Sequence, residues 1–106
     1  MKTLPHIEII LPIFYEVQNL VPLMRELDQT VKALKNEATI SYLFVNDGSS
    51  DGSKELLHKL NSSRDDVRVV DLIHNFGHSA AITCGIEHFD GDIAVIMDAD
   101  MQDSPA

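Results

Sequence analysis

The sequence has 106 residues, 44% of them apolar, with 17 acidic and 8 basic side chains and a formal net charge of −9. That length holds one domain at most, and the ordinary apolar content argues against disorder. The charge argues against nucleic acid as a partner and against unaided adhesion to an anionic membrane, since both are gripped by clustered Lys and Arg. A phosphorylated ligand stays open if a metal ion bridges the like charges.

The opening "MKTLPHIEII" has neither a long apolar h-region nor a small-residue cleavage site, so no signal peptide is expected. Ile7 to Ile13, short and β-branched, reads as a buried strand. Asn19 is placed to cap a helix, with Pro22 tolerated in its first turn. Val17, Leu20, Val21, Met24, Leu27, Val31 and Leu34 share one helical face. Ile40 to Val45 is a second strand, followed by the turn-rich "NDGSSDGS". Ser50 or Asp51 is expected to cap a shorter helix carrying Leu56, Leu57 and Leu60. Val67 to Ile73 is a third strand, "HNFGHS" a loop, and Ala80 to Phe89 a helix rich in small residues. Gly91 turns the chain into a fourth strand, Asp92 to Met97. No apolar run approaches the ~18 residues of a membrane span. The single cysteine, Cys84, excludes an internal disulfide; a buried structural thiol in a reducing, cytoplasmic compartment is expected.

The order βαβαβαβ predicts an α/β fold: a mostly parallel sheet with right-handed crossovers and helices on both faces, a Rossmann-like arrangement. The strand C-termini then form one edge, where open α/β sheets bind ligands. After the successive strands come Phe14-Tyr15-Glu16, Asn46-Asp47-Gly48, His74 to His78, and Asp98 to Asp103. Polar and acidic groups from separate segments thus converge. Oxygen donors without cysteine suit a hard cation, Mg²⁺ or Mn²⁺. On an extended tip, Asp98 and Asp100 face the same side. At ~4 Å and an effective dielectric of ~20, each carboxylate would repel a phosphate charge by about 4 kcal/mol; a divalent ion reverses that sign. His74 and His78 lack the further ligands of a zinc site and read as loop or helix-start residues. His6, His58 and His88 read as ordinary surface or partly buried positions. Neither a Walker A loop nor GxGxxG is present.

"LPIFYEVQNL", "LFVNDGSSDGS", "HNFGHSAAITCGIEHFDGD" and "VIMDADMQD" together resemble the successive motifs of inverting family 2 glycosyltransferases of the GT-A fold. The likeness is nearest to the branch acting on polyprenyl phosphates, which includes dolichyl-phosphate mannose synthases. It covers essentially the whole chain. The resemblance implies that Pro12, Phe14 and Glu16 lie around a nucleoside. It places Asp47 at the base, with Val45 and Asn46 beside it. It sets Asp98, Ala99 and Asp100 against ribose, diphosphate and metal, with Asp98 and Asp100 in the catalytic role. Asp98, Asp100 and Gln102 become the metal ligands. Tyr15 stands where the family usually has Asn, and His74 where it often has Arg.

The resemblance further implies that residues 1–106 are the nucleotide-sugar-binding N-terminal part of a catalytic domain whose acceptor-binding part is absent. The intact enzyme would transfer a sugar from a UDP- or GDP-linked donor to a polyprenyl phosphate at the cytoplasmic face of the membrane. The chain alone would be catalytically incomplete. The rival readings are a soluble family 2 transferase acting on envelope or capsule saccharides, and a non-catalytic nucleotide-binding or assembly module. An unshielded sheet edge would allow self-association.

Overall fold

A computed structural model describes residues 3–98. The elements run β1 (His6–Ile13), α1 (Val17–Ala33), β2 (Thr39–Asn46), α2 (Ser53–Ser63), β3 (Val67–Asp71), α3 (His78–His88) and β4 (Ile93–Ile96). All pairings are parallel, in the order β3-β2-β1-β4. The expected alternation and parallel sheet are therefore present.

Side-chain alternation along the central strands builds the layers. Ile9, Leu11 and Ile13 of β1, with Tyr42 and Phe44 of β2, pack against Leu20, Leu23, Met24 and Leu27 of α1 and Leu57 of α2. Ile10, Leu43 and Val45 turn to the opposite face and meet Ala81 of α3. A sheet covered on both faces needs apolar residues at successive positions, which is why "IILPI" is a continuous run. At Gly85 a Cβ would collide with the Ile10 side chain, so α3 sits close to the sheet because that residue has none.

Several boundaries differ from the sequence expectations. Helix α1 begins at Val17, and Asn19 lies in its first turn, donating from Nδ2 to Glu16 Oε2 at 2.9 Å. Val21 is half exposed while Leu23 is buried, so the α1 core stripe is rotated from the expected face. Gly52, with φ 99°, occupies the cap position of α2, and Asp51 reaches past it to accept from the Ser53 N–H. Strand β3 stops at Asp71 because its partner β2 ends at Asn46, and Ile73 beyond it is 86% exposed. Strand β4 lies at the sheet edge, and Ile93, Val95 and Ile96 are exposed. Its outer side has no strand partner among the described residues, which is the feature behind the expected self-association. No helix among the described residues is long and apolar enough to cross a membrane.

The end of the sheet away from the strand C-termini is closed by a buried carboxylate. Glu8 accepts from Arg68 at 2.6 and 3.1 Å, from the Ser41 hydroxyl at 2.8 Å and from the Asp90 N–H at 2.8 Å. Arg68 also donates to the His88 carbonyl, tying β3 to the end of α3. Burial alone would raise the Glu8 carboxyl. The Arg68 hydrogen bonds, the Asp90 N–H and the Ser41 hydroxyl together outweigh it and hold the group below its ordinary value.

Candidate functional site

The strand order reverses between β1 and β4, since β2 and β3 lie on one side of β1 and β4 on the other. Loops leaving such a switch point diverge to opposite faces and open a crevice beyond the strand C-termini. A cleft of about 480 Å³ lies there, lined by Pro12 and Ile13 at the end of β1, Phe14 and Glu16 just after it, Asp47 after β2, and Asp98 after β4. Asn75, Gly77, His78 and Ala81 complete its wall. Loops following all four strands thus contribute to one cavity.

Asp47 is 3% exposed, and its carboxylate is largely occupied. Oδ1 accepts the Phe76 N–H at 2.8 Å; Oδ2 accepts the Gly77 N–H at 3.1 Å and Asn75 Nδ2 at 3.0 Å. The residue therefore fastens the loop after β3 to the loop after β2 while still bordering the cleft. Asn46 is buried beneath it: its Nδ2 donates to Asp71 Oδ1 and its Oδ1 accepts the Ser49 N–H. The other Asp71 oxygen meets His58 Nε2, so that histidine supports the same loop from α2. Val45 is fully buried in the α3-facing core. Val45 and Asn46 thus lie behind the cleft, whereas Pro12, Phe14, Glu16, Asp47 and Asp98 line it.

Asp51 joins the starts of two helices. Its carboxylate accepts the Ser53 hydroxyl and N–H at the start of α2 and the Val17 N–H at the start of α1. Burial acts to raise this carboxyl, but the bonds from Ser53 and Val17 prevail and hold it below the usual carboxylate range. Cys84 is half-buried on α3, and burial together with Glu87 pushes its thiol up, which suits a packing role.

Asp98 is exposed at the cleft, with Oδ1 3.3 Å from His78 Nε2. A cleft-facing carboxylate matches the hard-donor chemistry of Mg²⁺ or Mn²⁺. No cluster of at least three His, Cys, Asp or Glu suited to a metal occurs among the described residues. Ala99, Asp100 and Gln102, the remaining expected site residues, lie outside the described residues. His78, Asn75, Gly77 and Ala81 are cleft residues that the sequence reading did not single out for ligand binding. "HNFGHS" was the available signal, because it follows a strand on the same edge.

The model of the family described as Glycosyl transferase family 2 matches residues 8–106. The chain is 38% identical over 99 residues to "Uncharacterized glycosyltransferase YkcC" of Bacillus subtilis (strain 168), which covers 92% of this chain and 29% of that protein. It is 37% identical over 109 residues to an undecaprenyl-phosphate 4-deoxy-4-formamido-L-arabinose transferase of Pseudomonas fluorescens, covering 99% of this chain and 31% of that one. The chain thus spans 29–31% of the length of these two curated relatives. Among solved structures it superposes on the mannosyltransferase PcManGT of Pyrobaculum calidifontis, in complex with GDP-Man and Mn²⁺, with a TM-score of 0.68 and 24% identity. That match covers 93% of this chain and 28% of the other, and at this identity it shows the fold alone.

Proposed function

The chain belongs to glycosyl transferase family 2, and on that premise we propose that residues 1–106 bind the nucleotide sugar for a glycosyltransferase catalytic domain. The whole protein would transfer the sugar, with inversion, to a polyprenyl phosphate at the cytoplasmic face of the membrane. The observation that carries this reading is the cleft at the β1/β4 switch point, walled by loops from every strand. The undecaprenyl-phosphate transferase relative supports the acceptor class, and the GDP-Man complex of the structural neighbour supports the donor class.

Pro12, Phe14 and Glu16 surround the nucleoside in this reading. Asp47 borders the base and keeps the Asn75–Gly77 loop in place, while Val45 and Asn46 support it from behind. Asp98, with Ala99 and Asp100 beyond the described residues, would contact ribose and diphosphate. Asp98, Asp100 and Gln102 would hold the Mg²⁺ or Mn²⁺, which when bound neutralises charge on the leaving diphosphate. The acceptor phosphate is already an anion. Its oxygen forms the new bond to the anomeric carbon as the bond to the diphosphate breaks, so no strong general base is required. The walls fix the donor for that in-line approach.

Calorimetric titration of UDP and GDP, with and without Mn²⁺, tests the assignment. One nucleotide should bind in Mn²⁺, and both metal removal and Asp98→Ala should weaken it by about tenfold or more, the equivalent of ~1.4 kcal/mol. Absence of binding by either nucleotide in every condition would defeat the donor-site reading.

A further inference from the structure

Tyr15 lies between two cleft residues, Phe14 and Glu16, but does not itself line the cleft. Its φ of 54° is the one positive value at a non-glycine among the described residues. A bulky side chain rarely adopts this left-handed conformation, and it persists only where the surroundings enforce it. Consecutive residues of the β2–α2 loop do so here. The Tyr15 N–H donates to Ser49 Oγ at 2.9 Å, the Tyr15 hydroxyl bonds to Ser50 Oγ at 2.7 Å, and the Val17 N–H donates to Asp51 Oδ2 at 3.2 Å. The Tyr15 ring also meets Phe14 edge-on, with centroids 4.5 Å apart and planes at 84°.

We infer that Tyr15 and its Ser49–Asp51 clasp form a positioning device for the donor nucleoside: they hold Phe14 and Glu16 in the arrangement that recognises it. This inference rests on the donor-cleft reading above. The physical link is direct. The left-handed residue turns the chain from β1 into α1, and the flanking Phe14 and Glu16 take their positions from that turn. The clasp also joins the loop after β1 to the loop after β2, which carries Asp47 on the other wall. A flexible Phe14–Glu16 segment would have to be ordered on binding, and pre-ordering it raises affinity without any added ligand contact.

Calorimetry with the purified chain, Mn²⁺ and the nucleotide it binds, UDP or GDP, tests the clasp through Tyr15→Phe, Ser50→Ala, their combination and Tyr15→Asn. Tyr15→Phe and Ser50→Ala should each weaken binding about three- to tenfold, the scale of one hydrogen bond. The double variant should be no weaker than either single one, because both remove the same bond. Asparagine tolerates the left-handed region but is too short to span to Ser50. Tyr15→Asn should therefore keep or raise the thermal midpoint while still binding more weakly, a separation that a merely structural role would not produce. Wild-type affinity in Tyr15→Phe or in Tyr15→Asn, or losses that multiply in the double variant, would overturn the clasp alone. No nucleotide binding by the unaltered chain would overturn the donor-cleft reading and the clasp together.

Discussion

Gly48→Ala is expected to cost about 3 kcal/mol of stability and to abolish measurable nucleotide binding. Gly48 has φ 74°, and a Cβ there would lie 2.6 Å from both the Asn75 nitrogen and the His74 carbonyl carbon. Those atoms belong to the backbone, so no side-chain rotation relieves the contact. The neighbouring Asp47 carboxylate binds the Phe76 and Gly77 N–H groups and so depends on the same close approach. Prising the loops apart would orphan those donors, at roughly 1–3 kcal/mol for each one left buried and unpaired. It would also displace Asn75, Gly77 and His78 from the cleft wall. Chemical denaturation and nucleotide titration of the variant check both effects. Wild-type stability with wild-type affinity would mean that the interlock is not needed.

Arg68→Met should destabilise the fold by about 2–3 kcal/mol at neutral pH. That is below the ~3–5 kcal/mol typical of breaking a fully buried pair, because the Arg68 side chain is 41% exposed although Glu8 is 1% exposed. Methionine keeps most of the aliphatic stem, so the loss reports the cation and its donors. The pH dependence follows in sign. In the wild type Glu8 is held below its ordinary 4.5, so its stabilisation is fully present above that value and is lost as pH falls through the folded one. Without Arg68, burial is opposed only by the Asp90 N–H and the Ser41 hydroxyl, so the carboxyl moves up from its wild-type position and its ionised form stabilises the fold less. Acid therefore costs the variant less than it costs the wild type. The difference in unfolding free energy should therefore be large at pH ~7 and shrink towards pH ~4. Adding Glu8→Gln to Arg68→Met should recover part of the loss, since no buried charge is left unpaired.

The elements whose physics is local were the most legible in the sequence. Ile9 to Ile13 and Leu43 to Val45 announced two-faced burial through uninterrupted apolar runs, and both strands lie at the centre of the sheet. Asp98 and Phe14 could be placed at one edge from strand order alone. Local patterns were weaker where a tertiary partner decides the outcome. Leu72 and Ile73 are as apolar as a strand, but β2 ends at Asn46, whose carbonyl takes the Leu72 N–H, and no β2 residue lies opposite Ile73. Val95 and Ile96 are apolar strand residues, yet both are exposed, because β4 takes the sheet edge, which the sequence does not mark. The start of α2 differs from the expected Ser50 or Asp51 cap because Gly52 inserts a left-handed residue between the Asp51 acceptor and the helix. Long-range pairs carried no sequence signal: Glu8 with Arg68, His78 with Asp98, and Tyr15 with Ser50 are joined only by the fold. The departure at Tyr15 was visible as an unusual residue, and its left-handed backbone now shows why asparagine suits that position.

The proposed function requires that a nucleotide bind in the cleft at the β1/β4 switch point. Backbone amide mapping by NMR tests it most directly, with an isotope-labelled chain titrated with UDP or GDP in the presence of Mg²⁺. The largest shifts are expected on Phe14, Glu16, Asp47, Gly77, His78 and Asp98. Saturation with no shifts at these residues, or with shifts centred on Glu8, Arg68 and Asp90 at the opposite end of the sheet, would contradict it.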